Sequence, residues 1–218
     1  MVSFQRLDLL LVAHGPADDL VAAVAEWSGG VRGARMAARV AVPLGPGGFD
    51  ALVSVGGEGC GVEELTGPVA ALAGALDGQV DAERSAVIAG RVDVVIDGDG
   101  PVFVHHPLRR LPGMTVQAFQ AHWSSTHAAL ARAVPGLAGY RQLHADVEAT
   151  LAAGAVAGVG INDFVGAAEG RRPSRDAPAL ARGPELEAVL ADERSFIDAT
   201  RCGPTLYQAI SGAESFGG

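Results

Sequence analysis

The same order of apolar runs and helix-spaced segments occurs twice along the chain, and that recurrence limits the folds open to it. The first pass begins with the apolar run LDLLLVA (7–13), which reads as a strand. PADDLVAAVAEW (16–27) follows with helical spacing and acidic residues in its first turn. ARMAARVAV (34–42) and FDALVSV (49–55) read as strands split by the turn-rich PLGPGG. VEELTGPVAALAGAL (62–76) predicts a helix in spite of Pro68, and RSAVIAGRVDVVI (84–96) a strand. After DGDG (97–100) the order begins again, with a strand at 101–110 and a helix N-capped by Thr115 that runs to about Ala133. Strands at 138–145 and 158–167 come next, then a helix from Pro184 to Thr200 and a strand at 204–210. AEWS (25–28) and AHWS (121–124) fall at equivalent points of the two first helices, Ala25 and Ala121 being 96 apart.

Each pass is a βαββαβ unit, the split-βαβ arrangement of ferredoxin-like folds. Such a unit covers one face of its sheet with helices and leaves the other bare. Two units in one chain can bury the bare faces against each other, which predicts an intrachain, pseudo-dimeric α+β barrel. The units span residues 1–98 and 99–218, and the short DGDG linker favours a shared barrel over separate beads.

Composition removes several functions. About half of the 218 residues are apolar (49%), enough for a substantial core. The net charge of −9, with no basic run, argues against nucleic acid. All sixteen basic residues are arginine, so Schiff-base, pyridoxal-phosphate and P-loop lysines are excluded. The two cysteines, Cys60 and Cys202, have no CxxC spacing and fit a reduced, cytoplasmic setting. The N-terminal apolar run of seven residues is too short for a signal segment or a membrane span. VGGEGCGVEE (55–64) lacks the GxGxxG spacing of a dinucleotide loop, and a flexible turn accounts for it. His105 and His106 are neighbours on a strand, hence on opposite faces, and DGDG has too few ligands for calcium. No metal site is predicted.

FQAHWSSTHAAL (119–130) holds the candidate chemistry. At about 100° per residue, His122 and His127 would lie about 140° apart on an α-helix, unlike the i, i+4 pair of a zinc helix. Phe119, Trp123, His127 and Leu130 share the apolar face, which turns His127 inward. It is either a core histidine satisfied by one hydrogen bond or a general base kept neutral by burial. On the next strand Tyr140, Gln142 and His144 share one face, either as solvent-facing polar groups or as the wall of a pocket with Tyr140 donating to an oxyanion. Asn162 and Asp163 interrupt a small apolar run and point to opposite faces of the strand expected there, unless a turn intervenes. In the first half Val31 stands four residues after Trp27, where the second half has His127, so a single functional pocket is expected.

RRLPGMTVQAFQAHWSSTHAALARAVPGLAGYRQLH (109–144), with VLADERSFID (189–198), resembles the EthD family of dimeric α+β barrel proteins. The resemblance covers nearly all of the C-terminal half; the N-terminal half would be a divergent second copy, inferred from element order and not from motif identity. It departs at 161–163, where the family has a Glu-hydrophobic-Trp run and this chain has IND. EthD itself accompanies an ether-degrading P450 system without an assigned reaction. The wider superfamily includes cofactor-free monooxygenases, cyclases, dehydratases and isomerases, and some barrels that bind haem through a helix histidine. The resemblance therefore implies a cofactor-independent acid/base enzyme of dehydratase, cyclase or isomerase type, acting on a hydrophobic cyclic or polyketide-like ketone or enol. The alternatives are a cofactor-free monooxygenase and a non-catalytic carrier or accessory protein. His127 would take the proton, Tyr140 and His144 stabilise the enolate, and Asp163 orient the base or return the proton. Phe119, His122, Trp123, Gln142 and Asn162 would contact the substrate. The expected partner is a hydrophobic small molecule, not a membrane or nucleic acid, in a monomer with an internal pseudo-dimer or in a homodimer.

Overall fold

Arg6 and Asp8 stand two apart on an otherwise largely apolar strand, and both are completely buried. Their burial follows from a closed sheet. The computed structural model describes residues 3–31, 36–46, 48–160, 162–177 and 180–212. Strands β1 (Ser3–Leu11), β2 (Ala37–Pro43), β3 (Ala51–Gly57) and β4 (Ala86–Ile96) come from the first half. Strands β5 (Val102–Leu108), β6 (Gly139–Ala145), β7 (Gly166–Arg172) and β8 (Thr205–Gly212) come from the second. All pairings are antiparallel, and the order around the closed barrel is β1-β3-β2-β8-β5-β7-β6-β4.

The halves have the same internal strand order, β4-β1-β3-β2 and β8-β5-β7-β6. They join along two seams, β2–β8 and β4–β6. Each seam has one register shift, at Val40/Ala41 and at Val94/Ile96. Such irregularities bend a strand and sharpen its twist, which helps a sheet to close. The α+β barrel expected from the recurrence is therefore the observed fold, and it closes within one chain without an open sheet edge.

Because the barrel is filled inside and clad outside, both faces of most strands are buried. Leu7, Leu9 and Leu11 of β1 pack outward against Leu20 and Val24 of α1 (Ala17–Gly30) and Leu65, Val69 and Leu72 of α2 (Val62–Ala75). Phe4 and Leu10 of the same strand pack inward with Leu52, Ile88, Phe103, Leu143 and Tyr207. The second half adds α3 (Val116–His122), a π-helical turn (Trp123–His127), α4 (Ala128–Arg132), α5 (Val147–Ala157) and α6 (Pro184–Glu193). No helix among the described residues is long and apolar enough to cross a membrane.

Three expectations need correction. No strand runs over 158–167: Asn162–Val165 form a loop and β7 begins at Gly166, while Ile161 lies outside the described residues. The preceding segment forms α5, with Asp146 accepting from Ala149 N (2.9 Å) as N-cap and Gly158 at φ +67° as C-cap. A cap, a helical run and a left-handed glycine are a legible helix signature that the sequence reading passed over. Finally, α6 ends at Glu193 instead of Thr200. The predicted strand at 34–42 begins at Ala37, and residues 34 and 35 lie outside the described residues. Thr115 does cap α3, accepting from Ala118 N, as expected.

The inward face of the barrel carries a charged layer that the sequence reading missed. The Glu169 carboxylate is contacted by Arg39 Nη2 at 2.7 Å, Arg171 Nη2 at 2.6 Å and Arg6 Nη1 at 3.1 Å, with Arg141 at 3.7 Å. Arg6 also holds Asp8 at 2.9 Å, and His105 Nε2 lies 3.1 Å from the same carboxylate oxygen. Burial by itself would raise the pKa of Glu169, but Arg39, Arg171 and Arg6 outweigh it and hold the group well below its usual range. A carboxylate depressed in this way stabilises the fold above its unfolded pKa. That contribution is lost as the pH falls through the ordinary carboxylate range toward the folded value. Removing Glu169 would leave guanidiniums facing one another in a dry interior. Glu169→Gln is expected to cost about 3–5 kcal/mol in urea unfolding, more than an exposed Glu58→Gln control; equal losses would show that the layer is not tightly coupled.

Candidate functional site

The sequence FQAHWSSTH does not stay α-helical. The helix widens at Trp123–His127, where Ala128 N–H reaches back five residues to Trp123 O. Local competition for carbonyls accompanies the change: Ser125 Oγ donates to Ala121 O at 2.6 Å, and Gln142 Nε2, reaching from β6, donates to Trp123 O at 2.9 Å. A five-residue turn places residues five apart on nearly the same side. His122 and His127 therefore converge, contrary to the 140° separation expected of an α-helix. Both reach one carboxylate from α6, with His122 Nε2 2.8 Å from Asp192 Oδ1 and His127 Nδ1 2.9 Å from Asp192 Oδ2.

His127 does lie inward, 3% exposed, with its ring 5.2 Å from Phe196 and 6.3 Å from Tyr140. Burial lowers its pKa; Asp192 opposes that shift and His122 adds to it. Tyr140, also buried, is pushed up to about 12 by desolvation against hydrogen bonds from Gln142 and Trp123, and its hydroxyl accepts from Trp123 Nε1 at 3.2 Å. At neutral pH this is a neutral imidazole beside a protonated phenol. Four cavities among the described residues, two of them beside His144, are lined by neither His127 nor Tyr140. Phe119, Trp123 and Phe196 fill the space between helix and sheet. Trp123 fits because β7 has glycine beneath it: a Cβ on Gly166 would come within 2.7 Å of the indole.

The open part of this face is at His144. Tyr140, Gln142 and His144 do share the outward face of β6, while Leu143 faces the lumen and Arg141 joins the charged layer. Across the β4–β6 seam, Arg91 stands opposite His144 and Asp93 opposite Gln142. Asp93 Oδ2 lies 3.4 Å from His144 Nε2, and Arg91 pairs with Asp93. The His144 ring packs on Trp123 at 4.7 Å between centroids. Its pKa is pushed down to about 4, chiefly by burial, with Asp93 raising it and Arg91 lowering it. A groove of about 820 Å3 beside α2 and α5 and an adjoining one of about 510 Å3 under α3 share Arg91, Gln120 and His144 in their walls.

The other expected site residues lie elsewhere. Asn162 pins its loop, donating to Val87 O at 2.9 Å and accepting from Phe164 N at 3.0 Å. Asp163 is half exposed and engaged by Arg109 and Arg201, away from His127 and Tyr140. The strand expected to carry the two residues on opposite faces is a loop, and Asp163 is held there by Arg109 and Arg201 instead of joining His127 and Tyr140. Asp192, Asp93 and Arg91 went unnoticed in the sequence. Asp192 lies within the quoted VLADERSFID segment, but its contact with two histidines some 65 and 70 residues away depends on the tertiary fold.

Because Asp192 raises the pKa of His127, removing its charge has a defined sign. In Asp192→Asn, the imidazole titration of His127 followed by NMR is expected to move to lower pH than in the wild type. An unmoved titration would mean that the carboxylate does not act on this ring.

Residues 111–200 match the EthD domain family. A search of curated proteins finds no match to the sequence. Among solved structures, the chain is similar to an anthrone oxidase-like protein at 13% identity, covering 97% of this chain and 92% of that one, with a TM-score of 0.59. It is similar to a protein of Fusobacterium nucleatum subsp. nucleatum provisionally described as a monooxygenase, at 8% identity, 99% and 96% coverage and a TM-score of 0.61. A heme-binding protein of Thermus thermophilus aligns at 11% identity, 97% and 92% coverage and a TM-score of 0.52. At these identities the likeness is one of fold. Residues 111–200 thus match the EthD domain family, and the strands of both halves close one α+β barrel within a single polypeptide.

Proposed function

We propose that this protein is a cofactor-independent acid/base enzyme that removes a proton from an enolisable ketone or phenol carrying aromatic or polyketide-like rings, with His144 as the base. The observation that carries the reading is the placement of His144: it lines two adjoining open grooves and is backed by Asp93. A base must be unprotonated before it acts. Burial keeps the His144 imidazole neutral throughout the physiological range, and Asp93 favours the imidazolium that forms when the proton arrives. Trp123 holds the ring from one side, and Gln142 fixes Trp123 through its carbonyl. His127, Tyr140 and Asp192 then support this wall from behind and do not touch the substrate.

Dehydration, cyclisation and isomerisation share this first step, as does cofactor-free oxygenation. The anthrone oxidase-like and monooxygenase descriptions of the structural neighbours favour oxygenation as the enolate's fate. The balanced reaction turns a methylene into a carbonyl: dioxygen takes two hydrogens from carbon, one oxygen atom enters the product and the other leaves as water. Haem, which one neighbour binds, does not suit the residues present. The helix–sheet space beside His127 is filled by Phe119, Trp123 and Phe196, which leaves no room there for a macrocycle.

With anthrone as probe, oxygen uptake is expected to fall by about 10²–10⁴-fold in His144→Gln while the fold is retained, a typical loss for a general base. The wild-type kcat/KM should rise as pH passes about 4, the value of His144, and stay level through neutrality. Product formation undiminished under argon would replace the oxygenase by a lyase or isomerase. Tight binding of the probe without turnover would favour a carrier. Titration with haemin should give no saturable Soret shift, and a stoichiometric one would overturn the packing argument against haem.

A further inference from the structure

At one mouth of the barrel lies a pocket of about 380 Å3 that shares no lining residue with the His144 groove. It sits where β5 ends and where β7 and β8 begin, beside the β2–β3 connection. Phe49, Phe164, Pro107 and Tyr207 line it. Tyr207 also stacks on Phe103, with ring centroids 5.9 Å apart, and meets His105 edge-on at 6.1 Å, so the pocket rests on the charged layer of the lumen.

Two guanidiniums, those of Arg109 and Arg201, belong to the same pocket. Asp163 accepts from Arg109 Nε and from Arg201 Nη2, and Arg109 Nη1 donates to Arg201 O. One carboxylate thus serves two cations and the trio keeps a positive charge. The nearby Asp198 is occupied by the hydroxyl and amide of Thr200, and Asp50 by Ala13 N–H. Among the described residues, Arg109 Nη2 and Arg201 Nη1 have no hydrogen-bond partner. The Arg109 guanidinium is steadied 3.9 Å above the Phe164 ring. Guanidinium N–H pairs match a carboxylate better than other small anions of low charge, and aromatic and proline walls match a flat apolar body.

We propose that this barrel mouth is a binding site for an aromatic carboxylate of one or two rings, separate from the His144 groove. The rings lie among Phe49, Phe164 and Tyr207, and the carboxylate meets Arg109 and Arg201. The N–H groups that Arg109 and Arg201 leave unpartnered make the site selective for anions over their neutral analogues.

Calorimetric titration of the whole protein with 1-naphthoate tests this, with 1-naphthylmethanol as the uncharged analogue. Saturable one-to-one binding of naphthoate is expected, at least tenfold tighter than that of the alcohol. Arg201→Gln, a half-exposed position, should weaken it at least tenfold. Gly203→Leu should weaken it, because Gly203 lines the pocket and a Cβ there meets no atom within 4 Å, which leaves room for a bulky side chain at the wall. His144→Gln should leave binding unchanged. Thermal melts check that each variant is folded. The proposal fails if naphthoate does not saturate, if the alcohol binds equally well, if neither pocket variant weakens binding, or if His144→Gln removes it.

Discussion

The Glu169 carboxylate is the point on which the barrel turns. Four arginines from β1, β2, β6 and β7 converge on it, so one buried anion ties both halves of the chain together inside the lumen. Desolvating so many charges is costly, and hydrophobic residues of the same volume could stabilise a barrel as well. What the ionic layer adds is direction. A guanidinium that must reach a particular carboxylate fixes which residue of each strand faces inward, and with it which residues face the helices. The outward register of Tyr140, Gln142 and His144 on β6 is the complement of the inward register of Arg141.

The helix face follows a different rule. The residues between helix and sheet are large, and the two pack closely through Trp123, Phe119 and Phe196. A glycine in β7 and a π-helical turn in the helix are the local adjustments that make room. The same turn brings two histidines to one carboxylate, so a packing device also shapes the electrostatics of the face. The buried polar groups hold the wall in place, and the accessible chemistry moves to its edge, where His144 and Asp93 meet the groove. A third region, the mouth above Tyr207, uses another solution again: cations shared over too few carboxylates beside aromatic walls.

The recurrence of apolar runs determined the barrel, because two half-clad sheets in one chain have few ways to bury their bare faces. The quoted EthD-like segments marked the C-terminal half, Thr115 marked a helix start, and alternation along β6 grouped Tyr140, Gln142 and His144. These features are local, set by period, capping and hydrophobicity within a few residues. Tertiary structure decided the rest. Arg6, Arg39, Glu169 and Arg171 look like solvent-facing positions until the sheet closes and turns that face inward. His122 and His127 look divergent until side chains from β6 and the helix's own serines draw the turn open. Asp163 looks like a strand residue until α5 takes up the preceding chain and leaves it in a loop at the barrel mouth. In each case the deciding partner is distant in sequence, so no pattern within a short window could reveal it.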